Sequence, residues 1–396
     1  MTAAAAPATA TSPAPPPTGQ LSAGPSPTRA AWRGALPVWL GSRLAVLLLG
    51  LGAAREATGA RADAVGGPLV GWYHWDVALF IEVARYGWFS PAYTDRTAVD
   101  FPGMPLALRL MHLVARDWVL SGLLVSLVAG AVASATLWQL AADEAQPQDR
   151  EAAGRLAVLL LVLSPYAVFL FAGYSEGLFL AFVCTSWLAA RRGRWALAVG
   201  LACGATATRV TGIPFAAALA VEYLVQRRGR PDRRAVLLVL PALPVALFIA
   251  HLHALSGSWT AYTDAQREGW GRTLAAPWSG WSSTWHAALN GSQSAAYQMF
   301  WIGELSAAVL GVVLTVVLVR QHRWGEAVYV GGNTLLMTSS SYYASGVRSA
   351  LVWFPLWLLL ARTAVRRPWL SGLLLWASAP LMAAAVVGFT TGAWID

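Results

Sequence analysis

An acidic residue in an aromatic-rich stretch has a side chain whose type suits acid–base chemistry. The stretch GWYHWDVALFIEVARYGW (71–88) contains two acids, Asp76 and Glu82. If it is helical, Asp76 shares a face with Phe80 and Val83, whereas Glu82 lies about 120° away around the helix. The two carboxylates are therefore not expected to act as a pair on one face.

An interpretation of the same stretch without a catalytic role stays open. Trp and Tyr are enriched where a membrane protein meets the polar interface, and acids beside them can be solvated. On this interpretation both acids are surface groups and the aromatic side chains form a belt: Trp72, Trp75, Tyr86 and Trp88.

Two arginines at the ends of apolar runs, Arg209 and Arg348, are the leading cationic candidates. A charge at such a position is costly without a partner, so it is a functional hypothesis by default. The alternatives are a structural ion pair, or a side chain that reaches back to the interface. Arg109 and Arg116 are weaker candidates, because a basic stripe equally suits anionic lipid headgroups.

The segment AGYSEGLF contains Tyr174, Ser175 and Glu176 between two apolar runs. Glu176 is interpreted as a second acid, an acceptor-binding group or the partner of Arg209. The alternative is that Ser175 and Glu176 cap the next helix, since Ser favours the N-cap and acids favour the first turn. Asp100 presents the same choice between binding and capping.

The segment 255–300 is rich in aromatic residues that could pack on the apolar face of a sugar. An outer membrane interface collects the same residue types, and we assign most of them to such a belt. The set is Trp259, Tyr262, Trp270, Trp278, Trp281, Trp285, Tyr297 and Phe300. No cluster of His with carboxylates has recognisable ligand spacing, so no metal site and no cofactor are predicted, although a divalent metal is not excluded.

Composition indicates the kind of element that must position these groups. The chain has 396 residues, of which 57% are hydrophobic and 12% charged, and its mean hydropathy is positive. This is typical of an all-α polytopic membrane protein. The net charge of +9 comes from arginine alone, and a soluble basic face for nucleic acid is not expected. Residues 1–30 are rich in Ala, Pro, Thr and Ser and are predicted to be a disordered cytoplasmic tail.

Eleven apolar segments are candidate membrane spans within a transmembrane domain over 31–396. Four arginine clusters lie at 191–194, 227–234, 320–323 and 362–367, and two spans separate each neighbouring pair, which places all four in the cytoplasm. The N-terminus is then cytoplasmic, and two large segments, 53–117 and 255–300, are extracytoplasmic. The predicted spans are 35–52, 118–141, 152–171, 175–190, 195–208, 210–225, 235–254, 301–320, 324–338, 347–361 and 369–390.

A short amphipathic segment, 101–117, is not expected to cross the membrane. A helix from Met104 to Arg116 is only about 20 Å long, and crossing would break the arginine parity. We predict a helix lying in the outer interface. One side of it is apolar, with Leu106, Leu110, Leu113 and Val114, and the other carries Arg109, His112 and Arg116.

Several segments, met in order along the chain, resemble one enzyme family. HWDVALFIEVARYGW…VDFPGMPLALRL resembles the start of the PIG-V family of mannosyltransferases, with Asp100 and Phe101 in place of the family's Phe-Phe. Further matches are LSPYAVFLFAGYSEGLFLAF (163–182), ATATRVTG (205–212) and YYASGVRSALVWFPLWLLLA (342–361). The resemblance extends from residue 70 to about residue 361.

The resemblance implies a GT-C-type glycosyltransferase that uses a lipid-linked sugar donor at the outer face of the cell membrane. It would move a sugar, expected to be mannose, from a polyprenyl phosphate to a lipid or glycan hydroxyl with inversion, and Asp76 would be the general base. Membrane lipids are the other expected partners, and the acceptor stays open. The predicted substrate-binding residues are Arg209, Arg348, Tyr174, Glu176, Asp100, Trp75, His74 and Arg109.

Two competing classes are weighed against this enzyme. A transporter or lipid flippase also combines many spans with buried charges, but no inverted repeat is visible and the charged, Trp-rich loops lie on one face. The other is a family member that has lost catalysis and serves as a subunit of a glycosylation complex. The retained Trp75 and Asp76 argue against that.

Overall fold

The computed structural model describes residues 28–58, 67–92, 96–292 and 294–393. Residues 1–27 of the predicted disordered tail lie outside these ranges. A helix begins at Arg29, before the predicted end of the tail at residue 30. The described part of the chain is helical and contains no strand, with one isolated antiparallel bridge between Leu274 and Ser340. The all-α class predicted from composition is therefore confirmed.

Sixteen α-helices follow one another in the described residues. They are α1 Arg29–Thr58, α2 Asp76–Tyr86, α3 Gly103–Ala115, α4 Trp118–Glu144, α5 Arg150–Val162, α6 Ser175–Arg191, α7 Trp195–Thr208, α8 Gly212–Gln226, α9 Ala242–Ser256, α10 Ala261–Trp270, α11 Pro277–Ala288, α12 Ala295–Arg320, α13 Trp324–Thr338, α14 Gly346–Ala350, α15 Phe354–Ala364 and α16 Pro368–Thr390.

Five segments of the described chain are long and apolar enough to cross a membrane: Arg29–Ala57, Trp118–Glu144, Arg233–Ser256, Tyr297–Arg320 and Pro368–Thr390. Each coincides with a predicted span. The other predicted spans correspond to shorter helices, so the count of eleven stays a prediction.

Two of the predicted spans are interrupted helices. The segment 152–171 is α-helical only as far as Val162, because Pro165 cannot continue the helix, and a 3₁₀ turn follows at Ala167–Leu170. Arg43 of α1 is buried against this break, and its guanidinium donates to the carbonyl oxygens of Ala167 (2.7 Å) and Val162 (2.9 Å). The predicted span 347–361 is likewise divided into α14 and α15.

The four arginine clusters lie at one end of the helix array. Glu144, at the end of α4, accepts from Arg323 at 2.7 Å and lies 3.8 Å from Arg191. Arg366 pairs with Asp149 at 2.8 Å. The amide of Gln226, which precedes the cluster 227–234, donates to the carbonyl of Ala190. The count of spans places the four arginine clusters on one side of the membrane, and in the folded chain they lie at the same end of the helices.

The opposite end of the array is formed by α2, α3, α10 and the interrupted segments. In α3 the predicted apolar side is exposed on the surface of the chain, with Leu106, Leu110, Leu113 and Val114 all more than half accessible. The buried side of α3 packs Met104 and Leu108 into the core. Whether this exposed face rests on a membrane interface stays a prediction.

Candidate active site

Asp76 is the first residue of α2, and its carboxylate is held by an arginine far away in sequence. Its Oδ2 accepts a hydrogen bond from Nη1 of Arg348 at 2.8 Å. Its backbone N–H donates to the phenol oxygen of Tyr174 at 3.3 Å. The preceding residue, Trp75, has a left-handed φ of 53°, which costs a non-glycine residue about 1–3 kcal/mol. Tertiary contacts therefore hold the start of α2 in its turn.

Glu176 joins the two arginines predicted from sequence. The acid is fully buried in the first turn of α6. Its Oε1 lies 2.6 Å from Nη1 of Arg209 and 3.1 Å from Nε of Arg348. Among the alternatives for Glu176, the one confirmed is the partner of Arg209. The buried carboxylate has its charge compensated by two guanidinium groups.

Ser175 does not cap α6. The N-cap residue is Tyr174, which makes no side-chain cap hydrogen bond, and the hydroxyl of Ser175 instead accepts from Arg209 at 2.8 Å. The capping alternative for Ser175 is therefore wrong, because its hydroxyl is directed to the guanidinium of Arg209, which follows the end of α7.

The turn that carries Arg348 is held from α12. Glu304, which is buried within α12, accepts a hydrogen bond from the backbone N–H of Gly346 at 2.7 Å. A β-carbon at Gly346 would lie 2.6 Å from that carboxylate oxygen, so glycine permits the close approach. The guanidinium of Arg348 also lies over the rings of Tyr174 and Phe169, with centroid distances of 5.2 and 5.4 Å.

Two adjoining cavities of about 190 and 370 Å³ open around these groups. Both are lined by Asp76, Asp100, Gln266, Arg272 and Arg348. The volume of the larger cavity lies in the range typical of pockets for small ligands. The smaller cavity is also lined by Ser175, Arg209, Tyr262 and Asn333, and the larger by Trp270, Tyr297, Phe300, Trp301 and Tyr342.

Asp100 brings a second carboxyl group to both cavities. It is 5% exposed, and its Oδ2 has no hydrogen-bond partner among the residues that the structure describes. Burial raises its pKa well above the ordinary aspartate value, and the nearby charge of Asp76 raises it further, while Arg348 opposes them. The environment therefore favours a neutral carboxylic acid, which can donate a hydrogen bond.

The backbone around Asp100 explains its burial. The residue follows a 3₁₀ turn, Thr97–Val99, and its N–H donates to the carbonyl of Thr97 at 3.1 Å. The indole of Trp88 donates to the Asp100 carbonyl at 2.9 Å. Phe101, next along the chain, packs against Phe248 of α9.

Glu82 lies away from the cavities, as helical spacing predicts. Its carboxylate accepts a hydrogen bond from the hydroxyl of Ser90, and it lines neither cavity, whereas Phe80 lines the smaller cavity together with Asp76. The same-face argument from sequence therefore separates the two acids of α2 correctly.

Five of the predicted substrate-binding residues line neither cavity: Tyr174 and Glu176, which contact Arg348, and His74, Arg109 and Trp75. His74 packs edge-on against Phe389 in the last turn of α16, and burial lowers its pKa. The guanidinium of Arg109 donates to the carbonyl oxygens of Ala84 and Val83 at the end of α2. Trp75 is partly exposed and lines neither cavity. Their predicted roles in binding stay predictions.

The aromatic residues of 255–300 divide into two groups. Tyr262, Trp270, Tyr297 and Phe300 line one or other cavity. The others are at the surface of the chain: Trp259, Trp278, Trp281 and Trp285. The belt assignment is thus too broad, since half of the set faces the cavities.

Sequence reasoning missed Arg272, Gln266 and Ser345, which line both cavities. A signal for Arg272 exists in the sequence: Arg267, also in the predicted outer segment, has acids beside it in Asp264 and Glu268, whereas Arg272 follows Gly271 with no adjacent acid. Ser345 carries no such local signal, because only its place before Arg348 in the folded chain makes it a cavity residue.

In the part of the chain that the structure describes, no three residues of the His, Cys, Asp and Glu types lie close enough together to hold a metal ion. Asp76 and Asp100 are the two acids that line these cavities.

Residues 51–227 match the family model described as mannosyltransferase (PIG-V). A search of the curated proteins finds no match. The matched range contains Asp76, Asp100, Glu176 and Arg209, and it ends before Arg348, which the fold brings to the same cavities. This match supports a PIG-V-like mannosyltransferase, that is, a glycosyltransferase.

Proposed function

We propose that the protein takes mannose from a polyprenyl-phosphate donor and transfers it, at the outer face of the cell membrane, to a hydroxyl of a lipid or glycan acceptor. The observation that carries the proposal is the carboxylate of Asp76, which faces both cavities while Arg348 holds one of its oxygens. A fixed carboxylate beside a space of sugar size is the arrangement that general-base catalysis needs.

Asp76 has one oxygen available for the reaction. Arg348 occupies Oδ2, and no described residue donates to Oδ1. The acceptor hydroxyl would give its proton to this carboxylate while its oxygen forms the new bond to the anomeric carbon. The bond from that carbon to the phosphate oxygen breaks, and the phosphate leaves with the electron pair. Direct displacement of this kind converts a β-linked donor into an α-linked product.

Arg209 and Arg348 are proposed to contact the donor phosphate as well as their carboxylate partners. Each guanidinium has five N–H donors, so an ion pair with Glu176 or Asp76 leaves further donors for a phosphate. Cations placed where negative charge develops stabilise a departing phosphate. Tyr174 and Glu176 would then act chiefly through these arginines, since both contact Arg348 directly.

The proposed topology has eleven spans, a cytoplasmic N-terminus and an extracytoplasmic active site. Its support is the grouping of the four arginine clusters at one end of the helices and of the cavities at the other. Helix α6 connects the two ends, with Glu176 in its first turn and Arg191 in its last.

The first test is Asp76→Asn, assayed by transfer of radiolabelled mannose from polyprenyl-phosphate-mannose to membrane lipids. The amide keeps the size of the side chain and removes its basicity, so the rate should fall by about 10²- to 10⁴-fold. The matched control is Glu82→Gln on the same helix, whose acid lies outside the cavities. A folded Asp76→Asn protein that transfers mannose at the wild-type rate would show that Asp76 is not the base.

A further inference from the structure

The charges around the two cavities are unequally partnered. Three guanidinium groups line them, from Arg209, Arg272 and Arg348. Glu176 contacts Arg209 and Arg348, and Asp76 contacts Arg348. The arginines predicted from sequence therefore both bind carboxylates in the folded chain.

Arg272 differs from these two arginines. Its Nε donates to the hydroxyl of Ser340 at 3.3 Å, and within the described ranges of the chain it forms no ion pair. Together with Gln266 it lines both site cavities and a third cavity of about 430 Å³ beside them. A cation that faces open space from several directions is placed to receive an anion entering the site.

The backbone of Arg272 is fixed on both sides. Before it, Gly271 ends α10 with a left-handed φ of 64°, and the N–H of Arg272 donates to the carbonyl of Gln266 at 3.1 Å. After it, Thr273 accepts at 2.9 Å from the N–H of Ser341, in the segment that leads to Ser345 and Arg348. The guanidinium is therefore carried by a constrained segment, which reduces the entropy lost on binding.

The balance of charges around the cavities also favours Arg272 as an anion-binding residue. Burial raises the pKa of Asp100, which disfavours the charged form of this acid, and Asp100 forms no ion pair with Arg272 among the described residues. Asp76 and Glu176 compensate Arg209 and Arg348, and the charge of Arg272 is left over. Burial also raises the pKa of Tyr262 and Tyr342, which line the cavities with Arg272, and the Arg272 charge opposes that rise.

We infer that Arg272 is the primary binding residue for the phosphate group of the sugar donor. This rests on the proposed function in one respect, that the donor carries its sugar on a phosphate. A guanidinium suits the planar, bidentate recognition of phosphate. When the bond to the anomeric carbon breaks, the phosphate gains a negative charge, and Arg272 stabilises that charge more strongly than the charge of the intact donor.

The test measures binding of farnesyl phosphate to the purified full-length protein and to Arg272→Gln. Inorganic phosphate and farnesol are the other probes, because they separate the phosphate from the lipid chain. We expect about 10- to 100-fold weaker binding of farnesyl phosphate to the variant and no change for farnesol. The matched control is Arg267→Gln, whose guanidinium pairs with Asp264 at 3.0 Å and lines neither site cavity.

Wild-type affinity of Arg272→Gln for farnesyl phosphate would overturn the inference, as would a failure of the wild-type protein to bind any phosphate probe. If inorganic phosphate or a nucleoside diphosphate sugar binds through Arg272 while farnesyl phosphate does not, the inference holds and the lipid donor of the proposed function is wrong. If wild type binds farnesyl phosphate through Arg272 but transfers no mannose from the lipid donor, the proposed reaction fails on its own.

A second measurement uses the wild-type chain, so it does not depend on the folding of a variant. Phenylglyoxal modifies accessible arginines, and the sites can be mapped by mass spectrometry. Farnesyl phosphate should protect Arg272 and leave the modification of Arg267 unchanged. Equal modification of Arg272 with and without the ligand would contradict its role.

Discussion

At the scale of residues, the site depends on contacts between side chains that lie far apart in the chain. The hydrogen bond from Arg348 to Asp76 joins residues 272 positions apart. Each end of it lies close to a non-glycine residue in the left-handed region, Trp75 with φ 53° and Ser345 with φ 62°. Strained residues persist where the surroundings determine the conformation, and here they lie beside a carboxylate and a guanidinium that form an ion pair.

Asp100 gives a pH-dependent prediction at this scale. Because its pKa is raised on folding, the native chain binds its proton more tightly than the unfolded chain, and stability falls as pH rises from the unfolded value of about 3.9 towards the folded value. The variant Asp100→Asn has no ionisable group at this position. The difference between its melting temperature and that of wild type should therefore increase in its favour as pH rises between about 4 and 8.

The measurement is the melting temperature in detergent against pH, with Glu268→Gln as the control. Glu268 is an exposed acid of α10, and its removal should leave the slope unchanged. Parallel profiles for Asp100→Asn and wild type would show that Asp100 is as readily ionised in the folded chain as in the unfolded one.

At the scale of elements, the interruptions of two predicted spans shape the site. The break after α5 supplies Phe169 and leads to Tyr174, and the break between α14 and α15 follows Arg348. An interrupted helix leaves carbonyl groups without intrahelical partners, which is tolerated at membrane depth only where other groups satisfy them. The guanidinium of Arg43 satisfies two such carbonyls, of Val162 and Ala167.

Arg43→Met should therefore destabilise the protein without touching the cavities. The thioether chain fills part of the volume but donates no hydrogen bond, so two buried carbonyl groups lose a charged donor, at a cost of about 3 kcal/mol. The measurement is thermal unfolding in detergent. Arg33→Met in the same helix, where the side chain is exposed, is the control, and equal melting temperatures for the two variants would contradict the role of Arg43.

At the scale of the whole molecule, the two ends of the helix array differ in chemistry. One end gathers arginine clusters with a few acids, such as Glu144 and Asp149. The other presents the cavities, the exposed apolar side of α3 and the tryptophans of 255–300. Arginine excess in loops is typical of the cytoplasmic side, and the proposed topology therefore puts the cavities on the outer side.

Cysteine labelling in intact cells tests this orientation. Asp264→Cys, on α10 beside the cavities, should react with a membrane-impermeant maleimide, whereas Arg230→Cys, in an arginine cluster, should react only after the cells are permeabilised. Of the two native cysteines, Cys184 is buried and Cys203 is partly buried, so the unsubstituted protein is labelled in parallel to measure the background. Labelling at 230 and not at 264 in intact cells would reverse the proposed topology.

The sequence determined the features that depend on composition and on spacing along one helix. Membrane class follows from hydropathy, the separation of Glu82 from Asp76 follows from helical periodicity, and the break near Pro165 follows from a residue that cannot continue a helix. The order of motifs along the chain was enough to point to the PIG-V family, and the match over 51–227 supports this resemblance.

Only the tertiary structure decided which charges meet. Helical spacing relates residues a few positions apart, so it could not predict that Asp76 meets Arg348 or that Glu176 lies between two arginines. The burial of Asp100 could not be predicted from the sequence either, because other elements pack around it. Arg272 reaches the cavities through the pairing of 272–275 with 339–341. Packing between distant segments sets both partners and burial, and a linear pattern does not contain it.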